Sequence, residues 1–553
     1  MPQIFRKLNE YIDSKATNYV FLGILLALSF IIAFFKITDS DVWWHLKTGE
    51  YILAHGIPST DPFSFTAAGS RWVTHEWLAE VLFYLLYKLG GLTLLIAFKA
   101  ATSAAIAYLI FRFGRQRGIS AAICAAIAMF AVAGMSYMMY PRPHVFTFLF
   151  LAILCYLLFG QNQSAKAVKI QRWFIIPALF LLWANIHAGF ILGLGIYWIV
   201  VLKELFLPGE SPDPMLVRIK QSLYPAVLAS LICLVNPNGY EIYTYTIAIA
   251  GNPTFKSTIS EWVSPIYLGR REWLALGILG LASVGSLAAA FYHLKRRPDI
   301  SLMVVGVAIS AWLAMRNIQN LVIVLAFAIL AIPFTAGRLR LAGYDPPEHG
   351  GSLWQKPAIA LLSFAWIIAL FVLIFNYQVR DDRRDYKLFD SGIRTSAFPI
   401  DAAAFLNKVN YSGNILNILS DGGYLIWTGY PRWRVFVDGR LDVYGEAQIE
   451  NYRKVVGGGV GALNVLDQLN VTAAVLPMPP GLGDIRNQLS VDSLWSLVYF
   501  DDYYLIYMRK TESCREIVEN YGYQTINPLV NGYGLDSPLK LERYLAESQR
   551  ALY

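Results

Sequence analysis

Apolar runs broken by short polar stretches fill the chain as far as Tyr377, after which the pattern changes. A bilayer span needs roughly 17 to 25 predominantly apolar residues. Such runs, several of them short, lie near 19–36, 92–111, 119–138, 145–159, 174–186, 188–204, 222–235, 274–293, 301–315, 320–335 and 357–376, which makes eleven expected helices. The pair at 174–204 pivots on Asn185-Ile186-His187-Ala188-Gly189, a polar break at which either helix can be tilted or partial. Residues 41–54 place Trp43, Trp44, Leu46, Tyr51, Ile52 and Leu53 at helical spacing, the pattern of an amphipathic helix lying in the membrane interface. Residues 76–89 read as a second such helix or as the start of a long second span.

Beyond Tyr377 a charged linker, 380–387, leads into alternating strand and helix signals. Strands are expected at 414–419, 434–438, 471–476, 496–500 and 503–508, and helices at 401–408, 446–456, 462–469 and 483–488. Alternation of this kind predicts a small α/β sandwich. The expected organisation is a membrane domain over 1–377 with its first outer loop at 37–91, an α/β domain over 378–511 and a polar, Tyr-rich tail over 512–553 with a closing helix at 539–553. No fixed-period repeat interrupts this plan.

Composition agrees with the pattern: 56% of the 553 residues are hydrophobic and 15% charged, and the mean hydropathy is +0.45. The net charge of +8 does not point to nucleic acid, because the basic residues sit in short clusters between apolar runs. Arg112, Arg115 and Arg117, then Lys166, Lys169 and Arg172, then Arg218 and Lys220, then Lys295, Arg296 and Arg297, then Arg338, Arg340 and Lys356 all fall on one side of the predicted spans. The positive-inside rule makes that side cytoplasmic. The polar amino terminus, with Arg6, Lys7 and Lys15, is then a cytoplasmic start of an uncleaved anchor, and the α/β domain is extracytoplasmic. The four cysteines show no CxxC or metal-binding spacing.

Five of the seven histidines, His45, His55, His75, His144 and His187, fall on the outer side with most of the chemically suggestive residues. Asp39 and Asp41 stand at a span mouth, where ionisable groups are functional candidates by default. Residues i and i+2 diverge on a helix, so one acid is expected to act and the other to cap. His75-Glu76, between Trp72 and Trp77, pairs an imidazole with a carboxylate suited to proton transfer or to a polar helix start. Asp61-Pro62-Phe63-Ser64 reads as a capped turn. Arg142, between Pro141 and Pro143, puts a guanidinium on a stiff turn suited to clamping a phosphate or to snorkelling to headgroups. Arg316 at another outer end is similar, with His144 and His187 as further phosphate or cavity candidates. Glu261 is a lone acid in the outer loop from Asn236 to Tyr267, where solvation is the ordinary state.

The stretch from Asp41 to Gly56, DVWWHLKTGEYILAHG, resembles the first outer loop of the glycosyltransferase C (GT-C) superfamily, most closely that of the oligosaccharyltransferase catalytic subunit. Ser260-Glu261 is similar to that family's outer-loop Ser-Val-x-Glu element, and Ser420-Asp421-Gly422-Gly423-Tyr424 stands where a Trp-Trp-Asp motif would, with Arg434 to Arg440 following it. Two departures are plain: the second outer loop carries Pro-Arg-Pro-His and no Asp-x-Asp, and Leu419 and Ser420 replace the paired tryptophans. The looser likeness, to bacterial membrane glycosyltransferases that use a polyprenyl-phosphate sugar, fits these departures better.

The resemblance implies a GT-C-like polytopic membrane enzyme that moves a sugar, with inversion, from a polyprenyl-phosphate or pyrophosphate donor to a protein, glycan or lipid acceptor outside the cytoplasmic membrane. Asp41 would be the base, with Asp39 or Glu76 second. Arg142, Arg316, His144 and His187 would meet the donor phosphate, and Trp44, His45, His75 and Asp421 the acceptor or the cavity wall. A pyrophosphate carrier would bring Mg2+ or Mn2+, held by Asp41 and Glu261 with Glu76 as an alternative ligand. The rival readings are a transporter or lipid-carrier flippase, which predicts ionisable groups at mid-membrane, and a non-catalytic envelope assembly protein.

Overall fold

The computed structural model describes residues 14–160, 164–207, 214–252, 258–268, 273–335, 338–339, 355–380, 391–478, 485–529 and 538–551. Arg6, Lys7, Arg340 and the linker residues 381–387 lie outside them. Contacts divide the chain into one unit of Met1–Ile37 with His75–Gly392 and a second of Thr38–Thr74 with Ile393–Tyr553. These units divide the chain at other points than the expected boundaries. The segment 38–74 groups with the carboxy-terminal residues and not with the membrane helices, and 512–553 is part of that same unit.

The first unit is helical. Among the described residues, seven helices are long and apolar enough to cross a membrane: Lys15–Ala33, Trp77–Gln116, Ala121–Met138, Ala165–Ile186, Met215–Ile232, Trp273–His293 and Lys356–Tyr377. Shorter apolar helices at His144–Phe159, Phe190–Phe206, Pro298–Leu313 and Met315–Leu330 occupy the remaining expected spans. Ser14, Ser120 and Ser164 each cap a helix start, their hydroxyls accepting from the N–H groups of Thr17, Ile123 and Ala167. Two spans begin earlier than their apolar runs. In both, a π-helical turn, Gln171–Ile175 or Ile219–Leu223, precedes Pro177 or Pro225 and accommodates the missing proline N–H. The helix Trp273–His293 leaves Leu281, Val284, Leu287 and Phe291 exposed, an apolar stripe fit for lipid.

The helix Trp77–Gln116 settles how residues 76–89 relate to the second span. It is assigned as one helix but is broken at Gly90 and Gly91, where Gly91 takes φ +63°, so 77–89 forms its own arm before the span. A side chain would be strained at that φ.

The second unit is built on a mixed five-stranded sheet. Its strands are β1 (Gly413–Asn417), β2 (Trp433–Val435), β3 (Val471–Pro477), β4 (Trp495–Phe500) and β5 (Tyr504–Arg509), in the order β2-β1-β3-β5-β4. β1 runs parallel to β2 and β3, whereas β5 is antiparallel to both β3 and β4. All five lie where the alternation predicted them. Central β3 is largely buried, with Val471, Ala473, Ala474, Val475 and Leu476 inaccessible and Thr472 partly exposed. Ser64 bridges to Val435 in parallel and Phe65 N–H donates to the Val435 carbonyl at 3.2 Å, so the 38–74 segment covers the β2 edge.

The helix Asp41–His55 forms as expected but packs differently. Trp43 meets Phe398 and Tyr424 edge-on at 5.4 and 5.0 Å, so its indole fills the core of the second unit and not a membrane interface. A helix at Leu419–Gly429 was not expected, since its two adjacent glycines oppose helix formation. Packing overrides propensity there. A Cβ on Gly422 would lie 2.1 Å from the Val437 carbonyl oxygen, and one on Gly423 2.6 Å from that of Ser40.

Candidate functional site

Within the membrane unit, the residues singled out from the sequence gather at the helix ends opposite the basic clusters. His75 and Glu76 precede the helix starting at Trp77. Glu76 Oε1 lies 3.6 Å from His75 Nε2 and 3.5 Å from His187 Nε2. His187 takes extended backbone angles at the end of Ala165–Ile186, and the next helix begins at Phe190. Its Nδ1 accepts from Gly189 N–H at 3.0 Å and lies 2.8 Å from Thr147 Oγ1, which itself accepts from Trp183 Nε1–H at 2.8 Å. That network assigns the ring proton to Nε2, the nitrogen facing Glu76.

Amides hold this turn in place. Asn185 Oδ1 accepts from Trp77 Nε1–H at 3.0 Å and from Asn236 Nδ2–H at 3.2 Å, and Asn185 Nδ2 donates to the Leu181 and Val235 carbonyls. Three separate chain segments are thereby fixed around His187. None of Thr147, Asn185 or Asn236 stood out as a site residue in the sequence, because amides and hydroxyls in apolar surroundings carry no spacing signal.

Arg142 projects from the proline-flanked turn. Its Nη1 donates to Glu261 Oε1 and Oε2 at 3.3 and 3.5 Å, and both side chains are half-buried. Glu261 is therefore paired, not simply solvated. It sits on the 3-10 turn Ser260–Trp262, which Met315 N–H fastens by donating to the Val263 carbonyl at 3.1 Å. This brings Arg316 over the Trp262 ring, with its guanidinium 4.5 Å from the centroid, and within electrostatic reach of Glu261, Arg142 and Glu76. The Arg142–Glu261 contacts exceed the 2.7–2.9 Å of a strong charge-assisted pair. A tetrahedral anion offering better geometry can compete for that guanidinium.

His144, expected to meet phosphate, has its Nε2 2.6 Å from the Met138 carbonyl and is buried. It shapes the turn that presents Arg142.

In the second unit, Asp39 takes the capping role expected of one of the two acids. Asp39 is buried and accepts the Asp41 N–H at 2.9 Å, fixing the helix start. Asp41, half-buried, directs its carboxylate at Gly439, where a Cβ would come within 2.2 Å of Oδ1 and 3.1 Å of Trp44 Nε1. Trp44 Nε1 is buried with no hydrogen-bond partner among the described residues. Residues 41 and 44 share a helix face, so a carboxylate and an indole N–H flank the same glycine. His45 is buried with its ring 3.7 Å from that of Trp44, centroid to centroid, which removes it from an open cavity wall.

Asp421, expected at the acceptor or the cavity wall, is buried in the second unit. Ser420 Oγ and Tyr504 Oη lie 3.2 Å from its Oδ1, while Oδ2 has no partner among the described residues. Burial pushes this carboxyl up to about 7. A raised acid pKa means that the folded state keeps its proton where the unfolded chain has lost it, so stability falls as pH rises from about 4 to about 7. Asp421→Asn is expected to raise the thermal unfolding temperature at pH 8, with the gain shrinking towards pH 5. Unfolding scans of the two proteins across that range check it.

Asp61 accepts from the N–H groups of Phe63 and Ser64 and from Arg440 Nη1 at 2.7 Å. Arg440 is gripped from the other side by Asp438, at 2.8 Å through Nε and 2.6 Å through Nη2, and Tyr444 O–H donates to the same carboxylate at 2.6 Å. This network is a fastening between segment 38–74 and the sheet.

The donor set does not fit a divalent cation. Among the described residues no group of three or more His, Cys, Asp or Glu side chains is placed to hold a metal. Glu261 already faces one arginine with a second within electrostatic reach.

No protein-family model matches the chain, and no curated protein matches by sequence. Solved structures do match in fold. The Archaeoglobus fulgidus oligosaccharyltransferase, tethered to an acceptor peptide containing the NVT sequon, is 14% identical with a TM-score of 0.52, over 84% of this chain and 69% of that one. The arabinofuranosyltransferase AftD from Mycobacteria is 14% identical with a TM-score of 0.53, over 90% of this chain and 41% of that one. ArnT from Cupriavidus metallidurans, bound to undecaprenyl phosphate, is 13% identical with a TM-score of 0.52, over 90% of this chain and 99% of that one.

Proposed function

We propose, from the GT-C glycosyltransferase fold that this chain shares with these distant neighbours, that the protein is a membrane glycosyltransferase taking a sugar from a polyprenyl-phosphate donor. Fold alone does not carry function, so the weight rests on side chains. The observation that carries the reading is the half-buried Arg142, loosely held by Glu261, with Arg316 close by. Two guanidiniums at one end of a bundle of apolar helices suit the phosphate of a lipid whose chain lies among those helices. A neighbour that binds undecaprenyl phosphate is in keeping with that chemistry.

For the base we take Asp41 from the resemblance of the stretch 41–56 to a glycosyltransferase outer loop. An acceptor hydroxyl loses its proton to a carboxylate, which we assign to Asp41, as its oxygen attacks C1 of the sugar. The bond from C1 to the phosphate oxygen breaks, and the electron pair leaves with the phosphate. Attack opposite the leaving group inverts C1. Charge grows on the departing phosphate, where Arg142 and Arg316 stabilise it. The Glu76 carboxylate, held towards His187 Nε2–H, keeps the neighbouring turn polar and ordered.

The test is transfer of radiolabel from a polyprenyl-phosphate sugar by the full chain in lipid vesicles. Arg142→Gln is expected to lower the rate about 10²-fold, as loss of one anion-stabilising donor does, with unfolding temperature unchanged. Label transfer by Arg142→Gln at the wild-type rate would sink the phosphate assignment. Vectorial movement of the intact lipid without bond cleavage would replace the transferase reading with a flippase.

A further inference from the structure

We infer that the membrane unit carries a second phosphoanion site at its basic end, built for the phosphate headgroup of an anionic phospholipid. A cleft of about 340 Å³ opens there. The helices that line it are the ones that also lead to the arginine cluster. His144–Phe159 runs from the Arg142 turn to Leu157 and Leu158 at the cleft, and Pro298–Leu313 runs from Asp299 at the cleft to the turn bearing Arg316. Sixteen residues of helix are about 24 Å long. The cleft is therefore separate from the proposed donor-phosphate cluster and lies near the opposite membrane surface.

Its charges are arranged unevenly. Arg172 is fully engaged by Glu204, at 2.6 and 2.9 Å, with Ser222 Oγ at 2.8 Å. Arg297 is engaged by Asp299 at 2.7 Å. Both acids are thus neutralised, and Lys203, also lining the cleft, makes no ion pair among the described residues. Tyr197 lines the same cleft, is 2% exposed, and its hydroxyl has no partner among the described residues. A buried hydroxyl without a partner is costly unless something supplies one. The volume is far larger than one water occupies, and Val168, Val200 and Val201 continue the wall in apolar side chains. An ammonium and a phenol O–H lining one cleft are both groups that donate to a phosphate, and apolar walls beside them suit acyl chains. Basic pockets between helices at such an end are where anionic headgroups dock.

The full chain in detergent, titrated separately with dioleoyl-phosphatidylglycerol, dioleoyl-phosphatidylcholine and inorganic phosphate, tests this by native mass spectrometry of bound lipid. Phosphatidylglycerol is expected to bind more tightly than phosphatidylcholine. Lys203→Gln should weaken phosphatidylglycerol about fivefold, the effect of one basic residue at a membrane surface. Tyr197→Phe should weaken it too, and Lys203→Arg should retain it. If inorganic phosphate displaces the lipid and binds in a Lys203-dependent manner by itself, the phosphoanion site stands and its source is soluble. Equal binding of the two lipids, or phosphatidylglycerol binding unchanged in both Lys203→Gln and Tyr197→Phe, overturns it. Because the readout is lipid binding, it does not depend on transferase activity.

Discussion

Asp41→Asn is expected to lower sugar transfer about 10²–10⁴-fold, the range over which a positioned general base contributes. Asparagine has the size of aspartate and keeps a hydrogen-bonding oxygen, but it accepts no proton at neutral pH. The helix start should survive, because Asp39 and not Asp41 accepts the first helical N–H. The loss should therefore appear in kcat, with the KM for the lipid donor and the unfolding temperature close to wild type. Asp39→Asn provides the contrast: its amide oxygen can still accept the Asp41 N–H, so transfer should stay within a few-fold. Initial rates of label transfer for the two variants separate base from cap, and an active Asp41→Asn would remove the base assignment.

Arg440→Met is expected to destabilise the second unit by about 3–5 kcal/mol, the cost of stripping one partner from a buried ion pair. Arg440 is 2% exposed, satisfies Asp61 and Asp438 together, and lies over Phe63 and Trp72 at 4.9 and 4.6 Å. Methionine fills the space but leaves two buried carboxylates facing each other. Lysine should fail nearly as badly, since it cannot bridge both acids with a rigid fork. The pH response gives a second signature. In the wild type, the Arg440 guanidinium holds Asp438 below the usual carboxylate range against the opposing effect of burial. A depressed folded pKa contributes stability above the unfolded value of about 4 and loses it as pH falls further. Without the arginine the sign reverses: buried carboxylates are then easier to hold protonated, so Arg440→Met should gain stability as pH drops from 7 towards 5. Thermal unfolding in detergent at both pH values checks the magnitude and the sign.

The fold was legible where periodicity is strong. The five strands and most of the membrane helices lie within a few residues of their apolar patterns, because burial of a contiguous apolar surface decides both. Legibility failed at Leu419–Gly429, where two glycines are tolerated in a helix because neighbouring backbone approaches too closely for any side chain. It failed also at Trp43 and Trp44. Indoles are at home in a membrane interface and in a protein core alike, and only tertiary contacts distinguish the two. Candidate chemistry was legible as residue type and not as partnership. Glu261 and Arg142 are 119 residues apart, and a lone acid and a lone guanidinium give no sign in sequence that they will meet. The commitment of His144 to the Met138 carbonyl and the burial of Asp421 are equally invisible, since an ionisable residue looks the same in sequence whether exposed, paired or buried.

The bond between Asp61 and Arg440 has a consequence for biogenesis. The two residues are 379 positions apart, and nearly the whole membrane unit is encoded between them. At synthesis rates of about 5–20 residues per second, Arg440 emerges roughly 20–75 s after Asp61. Throughout that interval the 38–74 segment waits with Phe63 and Trp72 uncovered by their later partner, while the intervening spans are still being inserted. A chaperone able to hold a short aromatic loop would find its substrate in that window, before the sheet exists to receive it.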